Sequence, residues 1–253
     1  MLKRVSCELG GKNAQVVMDD ADLDLAVEGA LWGAFATAGQ RCTATSRIIV
    51  HKKAKDEFMS RLLEQVKKLR LGNGLDATTD VGPVVNEGRL DFIQQYVDIG
   101  KKEGARMLCG GERKTDGDLK NGYFYAPTIF DDVTPNMRIA KEEIFGPVVG
   151  VITVGSLADA VDVVNNTDFG LSCAIYTKNV NNAFKFMEDA YTGIVYINSS
   201  TIGAEAHLPF GGTKNTGNGH REAAHTVYDV FTEWKTIFVD YSGKLQKAQI
   251  DAS

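Results

Sequence analysis

The sequence predicts an α/β fold, an open and largely parallel sheet flanked by helices. Three observations carry that expectation. β-prone runs alternate with segments whose apolar residues recur every three or four positions, the signature of strand–helix–strand units. The 253 residues are 43% hydrophobic and 24% charged, ordinary values for a chain long enough to bury one sizeable core. The last β-prone stretch, residues 231–241, has no helix after it and so stands apart from the alternating units.

The elements follow in chain order. Val16 and Val17 belong to a short β-prone run that stops at Asp19 and Asp20, and Asp20 or Asp22 can cap the helix expected over 23–38. The β-branched run Ile48, Ile49 and Val50 predicts a strand over 46–51. Phe58, Leu62, Val66 and Leu69 then mark one face of a helix. The alternation continues with a helix over 90–103, strands over Arg106–Cys109 and Val148–Val154, a helix over 157–164, the strand Ser172–Tyr176, a helix over 181–190 and the strand Ile194–Ile197. Two loop-like zones interrupt it. Residues 110–122 read as an exposed loop, whereas 199–219 is glycine-rich and too long for a routine connection, the kind of segment that carries function. Residues 221–230 read as a helix and 231–241 as a strand before a polar tail.

Charge and apolar patterning exclude several function classes. Twenty-eight basic residues face 33 acidic ones for a net charge of −5, and no run of five Lys or Arg offers a footprint for phosphates, so nucleic acid is not an expected partner. The longest apolar stretch, residues 147–154, is interrupted by Gly150 and Thr153 and falls far short of the roughly 20 residues that span a bilayer, so no membrane partner is expected. Lys3 and Arg4 are followed by no apolar segment or cleavage site, which makes the cytoplasm the expected location. The four cysteines, Cys7, Cys42, Cys109 and Cys173, form no C-x-x-C pair and are read as thiols.

Two residues stand out as candidates for chemistry. Glu8 precedes Gly10 and Gly11, which sets a carboxylate beside a turn where backbone can approach a ligand closely; an ordinary loop carboxylate is the competing reading. Cys42 follows Ala38-Gly39-Gln40-Arg41 just past the first expected helix. Small neighbours leave its thiol accessible and the adjacent Arg41 favours the thiolate, while a buried structural cysteine is the alternative, and the reading applied to Cys7, Cys109 and Cys173. A hydrolase of the Ser-His-Asp or Cys-His type needs a histidine base. His51 ends a strand and is expected at the surface, and His207, in the glycine-rich zone, is the one available base. His220 and His225, five residues apart, lack the spacing of a helical metal pair, and no metal site is expected. Gly72-x-Gly74-x-x-Ala77 follows a helix rather than a strand, Gly217-x-Gly219 lacks a third glycine, and no Walker spacing occurs, so no phosphate loop is read.

Four motifs taken together resemble the aldehyde dehydrogenase superfamily: Glu8-Leu9-Gly10-Gly11-Lys12-Asn13, Gly39-Gln40-Arg41-Cys42-Thr43, Glu142-Glu143-Ile144-Phe145-Gly146-Pro147-Val148, and Pro209-Phe210-Gly211-Gly212-Thr213-Lys214 with Gly217. Their order and spacing fit over nearly the whole chain. The ending from Glu233-Trp234-Lys235 to Tyr241-Ser242-Gly243-Lys244 is similar to the branch that oxidises ketoglutaric semialdehyde. The resemblance implies that Cys42 is the nucleophile, forming a thiohemiacetal and then a thioester, and that Glu8 is the general base that hydrolyses the thioester. It also implies NAD or NADP as cofactor, with Glu143 on the nicotinamide ribose and Phe145 near the nicotinamide. The main-chain N–H of Cys42 would serve the oxyanion. Gly211, Gly212 and Lys214 match a loop at the mouth of the site.

The same resemblance sets expectations for organisation. Residues 1–220 would be the catalytic domain, and 221–253 a C-terminal helix and a strand through which the chain forms a homo-oligomer. The N-terminal nucleotide-binding domain, with its pyrophosphate turn, adenine-side lysine and oxyanion asparagine, is expected to be absent. The substrate would be a small aldehyde, and Arg41 and Arg47 can attract an acidic one. Two alternatives remain: a non-enzymatic domain that associates through its terminal strand, and residual esterase action through Cys42.

Overall fold

Asp22 caps the first helix by accepting a hydrogen bond from Leu25 N, and the strand before it is buried at every position. These two elements, β1 (Asn13–Val17) and α1 (Leu23–Phe35), open an alternating series. β2 (Thr45–His51), α2 (Lys55–Val66), α3 (Glu87–Lys102) and β3 (Arg106–Cys109) follow. A two-residue ribbon pairs β4 (Arg113–Lys114) with β5 (Phe124–Tyr125), and β6 (Thr128–Asp131) and the single turn α4 (Arg138–Lys141) come next. β7 (Val148–Val154), α5 (Leu157–Asn165), β8 (Phe169–Gly170), β9 (Ser172–Tyr176), α6 (Val180–Asp189) and β10 (Ile194–Ile197) complete the regular part. β11 (Thr213–Lys214), which pairs with β8, and α7 (Val227–Phe231) close the chain. The computed structural model describes residues 3–245.

Seven strands form one sheet in the order β10-β9-β1-β2-β7-β6-β3. Every neighbouring pair is parallel except β3 with β6 at one edge. The largely parallel sheet is therefore as the strand–helix alternation predicts. Side-chain alternation fixes where the helices lie. Gln15 donates to Ala26 O of α1, whereas Arg47, in register with Ala14, donates to Val163 O and Val164 O of α5. Adjacent positions of a strand point to opposite faces, so α1 and α5 cover opposite sides. The core runs between sheet and helices through Phe35, Ile48, Ile49, Phe58, Phe130 and Phe186, all at most 1% exposed.

Several expectations are corrected. His51 is buried, because a strand inside a parallel sheet is covered on both faces. Its ring Nε2 lies 2.9 Å from Gly155 O, and Lys53 N donates to Nδ1. The helix expected over 221–230 shrinks to a short 3-10 turn, Ala224–Thr226, and α7. Glu222 instead exchanges backbone hydrogen bonds with Phe210, and Ala223 and Ala224 take φ values of 64° and 48°, which a continuous right-handed helix does not allow. Residues 232–241 pair with no strand among the described residues, since a ladder needs a neighbour and none of the described strands borders them. Phe231, Trp234, Phe238 and Tyr241 are exposed, and 246–253 lie outside the described residues. No helix of the described residues is long and apolar enough to cross a membrane.

Candidate active site

Because the central strands are parallel, their amino ends lie along one edge of the sheet, and the loops that enter them become neighbours. Glu8 and Gly11 lead into β1, Cys42 into β2, Glu143 and Phe145 into β7, and Phe169 into β9. The first three motifs that are far apart in the chain therefore meet at one place. Their contact is direct. Gly11 passes so close to the Cys42 loop that a Cβ there would lie 2.3 Å from Cys42 O. Gly39, at φ 67°, brings the same loop against the other motif, where a Cβ would lie 2.0 Å from Gly146 O.

Cys42 is half-buried and opens on a cleft of about 630 Å³, a size that suits a small ligand. Trp32, Arg41, Phe145, Ile202 and Phe210 line it with the thiol. Burial and, secondarily, the Glu8 carboxylate raise the thiol above its ordinary value. This corrects the expectation that Arg41 favours the thiolate: its guanidinium lies over the Trp32 ring, 5.9 Å from the centroid. A raised thiol makes the nucleophilic thiolate scarcer than in an ordinary cysteine.

Glu8 is partly buried. Its backbone bridges to Gly217, and Leu9 N donates to Thr216 O, so the glycine-rich segment after β10 holds it in place. Its Oε2 is buried without a hydrogen-bond partner. Burial first, then the charge of Glu222, raises its pKa against the opposing pull of Arg221. A carboxyl moved toward neutrality by desolvation is suited to take and return a proton.

Glu143 Oε1 accepts from Gly11 N at 3.0 Å, and burial raises its pKa while that hydrogen bond, Lys12 and Arg89 lower it. Phe145 takes φ 55° and turns its ring into the Cys42 cleft, with the Arg89 guanidinium 5.7 Å from its centroid. Glu143 lines a narrower recess beside the cleft with Gly11, Gly39 and Ser46. Phe145 borders both the cleft that holds the thiol and the recess that holds the carboxylate. An aromatic face beside a carboxylate acceptor suits the nicotinamide-ribose end of a dinucleotide.

Other expected residues are elsewhere. Arg47 does not reach the cleft. It is 2% exposed and donates to Lys12 O and to the last-turn carbonyls Val163 O and Val164 O, where a cation opposes the negative end of α5. Burial holds its pKa down at about 10. It is a structural strut, and the expected pull on an acidic substrate is not its role. Lys214 donates to Asn165 O and Thr167 O, and Gly212 O accepts from Arg221, so the Gly211–Lys214 stretch is tied to the scaffold. His207 is exposed. Sequence reasoning passed over Lys12, whose fully buried amine lacks a hydrogen-bond partner, is pushed down to about 7 by burial and faces Glu143. It also passed over Asn13 and Thr201, whose polarity inside apolar surroundings was the available signal.

Comparison with known proteins follows the same lines. A family model described as aldehyde dehydrogenase family matches residues 1–237. Alpha-ketoglutaric semialdehyde dehydrogenase of Bacillus subtilis (strain 168) is 43% identical over 232 residues, 92% of this chain and 48% of its own length. Retinaldehyde dehydrogenase 3 of Homo sapiens is 44% identical over 243 residues, 96% of this chain and 46% of its own. Among solved structures, an NAD-dependent aldehyde dehydrogenase from Sinorhizobium meliloti superposes with a TM-score of 0.91 at 38% identity, over 97% of this chain and 48% of that one. A betaine aldehyde dehydrogenase variant from Staphylococcus aureus, in complex with NAD+, gives 0.89 at 39% identity, over 95% and 48%. The chain spans about half the length of the relatives it matches.

Proposed function

The chain belongs to the aldehyde dehydrogenase family, and from that membership we propose that it carries the catalytic machinery for oxidising an aldehyde to a carboxylic acid. Cys42 is the nucleophile. Its sulfur bonds the aldehyde carbon to give a thiohemiacetal, and the thiol proton leaves to solvent. The Cys42 N–H stabilises the oxygen as charge develops there. NAD or NADP, when bound, accepts the hydride that converts the thiohemiacetal to a thioester. Glu143 and Phe145 would hold its nicotinamide end, by a carboxylate acceptor and a ring face. Glu8 then removes a proton from water as the water attacks the thioester carbon; the C–S bond breaks, the acid departs and Cys42 regains a proton.

One observation carries this reading: Cys42 and Phe145 line a single cleft, with the partly desolvated Glu8 close enough to perturb the thiol. The apolar lining with Arg41 at the cleft suits a small aldehyde bearing a distal carboxylate, in keeping with the semialdehyde enzyme among the relatives. The test is calorimetric titration with NAD and with NADP, followed by turnover of a panel of neutral and acidic aldehydes by the wild type and Cys42→Ala. Turnover that survives Cys42→Ala rejects the mechanism.

Association of copies is a separate proposal. The extended segment 232–241 exposes Trp234, Ile237, Phe238 and Tyr241 and has no ladder partner among the described residues. An unpaired β-prone edge of that kind favours pairing with a second chain.

A further inference from the structure

Three successive carbonyls beside the nucleophile are held by side chains from elsewhere in the fold. Asn13 Nδ2 donates to Cys42 O at 2.7 Å and to Ala44 O at 2.9 Å. Thr201 Oγ1 donates to the carbonyl between them, Thr43 O, at 2.7 Å. Both side chains are themselves anchored. Asn13 Oδ1 accepts from Ser172 N at 3.1 Å, and Thr201 Oγ1 lies 2.8 Å from Thr45 Oγ1. Ser172 Oγ donates to Thr201 O, and Ser200 Oγ to Gly29 O of α1. Asn13 is 3% exposed and Thr201 fully buried, so water does not compete for these bonds.

From Ala14 onward β1 pairs with β2 and β9 through backbone. Asn13 is instead fitted to this task by its amide: two N–H groups serve two carbonyls while the oxygen accepts from β9. Aspartate has no such donors and leucine no polarity at all. Holding carbonyls 42, 43 and 44 fixes the peptide planes on the C-terminal side of Cys42. The segment between α1 and β2 has no regular structure of its own to do so.

We propose that Asn13 and Thr201 are positioning residues for the nucleophile, aiming the Cys42 sulfur at an electrophilic carbonyl carbon while its main-chain N–H meets the carbonyl oxygen. The inference rests on the reading of Cys42 as nucleophile. The clamp sets geometry, so it governs reactions that need an aligned carbonyl and leaves simple thiolate reactivity alone. Misalignment on the scale of 1 Å lowers such aligned reactions by up to about 100-fold.

The experiment compares two reactions of Cys42, each followed by intact mass. In acylation by p-nitrophenyl acetate, the sulfur bonds the acyl carbon and p-nitrophenolate leaves, and the oxyanion must be met by the Cys42 N–H. In alkylation by iodoacetamide, the sulfur displaces iodide and no oxyanion forms. Asn13→Leu and Thr201→Val are expected to slow acylation by about 10- to 100-fold, with the alkylation rate and its pH profile unchanged. Thr201→Ser, which keeps the hydroxyl, is expected to restore acylation. If Asn13→Leu does not fold, the Val and Ser variants of Thr201 decide the matter. Acylation at wild-type rate in both clamp variants overturns the inference alone, as does an equal loss in both reactions. A wild type whose Cys42 resists the ester overturns the nucleophile reading and takes this inference with it.

Discussion

Replacing Gly39 by alanine tests how the site is assembled. Gly39 sits at φ 67°, where an L side chain costs about 1 to 2 kcal/mol. The larger consequence is steric. An added Cβ would stand 2.0 Å from Gly146 O, which is backbone and cannot rotate away, so the two loops must separate by about 1 Å before contact becomes tolerable. One loop carries Cys42 and the other Glu143 and Phe145, so the displacement falls on the reacting geometry. An error of that size is worth about 100-fold in an aligned reaction. Gly104→Ala is the matched comparison, since φ is 93° there but no atom lies within 4 Å of the new methyl. Gly74→Ala, in open space and without a positive φ, is the neutral one. Urea unfolding should show both Gly39→Ala and Gly104→Ala destabilised, while the rate of Cys42 acylation by p-nitrophenyl acetate collapses only in the first. A Gly39→Ala protein that acylates within about twofold of wild type, when about 100-fold is expected, would refute the claim that this contact sets the site.

Glu8→Gln should leave acylation of Cys42 intact and stop hydrolysis of the thioester, visible as an acyl adduct that persists by intact mass; rapid deacylation counts against Glu8 as base. The same variant has a stability signature. Folding raises the Glu8 pKa, so the folded state binds the proton more tightly and stability falls as pH rises from the ordinary carboxylate range through the raised value. Glu8→Gln should therefore melt higher than wild type near neutral pH and lose the advantage in acid, and the reverse order of melting temperatures contradicts the assigned direction. Arg47→Met strands the carbonyls of Lys12, Val163 and Val164 inside the protein and should cost about 3 kcal/mol in urea unfolding without altering preference between acidic and neutral aldehydes. A change in that preference at unchanged stability would return Arg47 to the substrate. The proposed association through the terminal segment predicts that the whole chain scatters light as an oligomer and that deleting residues 232–253 leaves a monomer, and an unchanged mass removes the segment from the interface.

Local patterning made most of the scaffold legible. The run Ile48, Ile49 and Val50 marks β2, Asp22 marks the start of α1, and the strands Val148–Val154 and Ser172–Tyr176 have the bounds their β-prone runs suggest. β6 is not legible because Pro127 enters it directly and only the single turn α4 separates it from β7, so no strand–helix alternation marks it. The helix expected over 221–230 failed for a different reason: Arg221 to Val230 has helical composition, but the pairing of Glu222 with Phe210, distant in the chain, claims the backbone that a helix would use.

The sequence by itself determined the alternating α/β architecture and the four short motifs that bear the family's chemistry, because both are written in neighbouring residues. Tertiary structure alone decided what surrounds each of them. A parallel sheet brings the loops before β1, β2 and β7 to one edge, and only that gathering places Cys42 and Phe145 in one cleft with Glu8 near the thiol. It also reversed three expectations. Arg41 follows Trp32 rather than the thiol beside it, and Arg47 and His51 lie inside because both faces of their strand are covered. Desolvation and charge act through space, so the pKa of a thiol and the role of an arginine depend on neighbours that the chain order does not record.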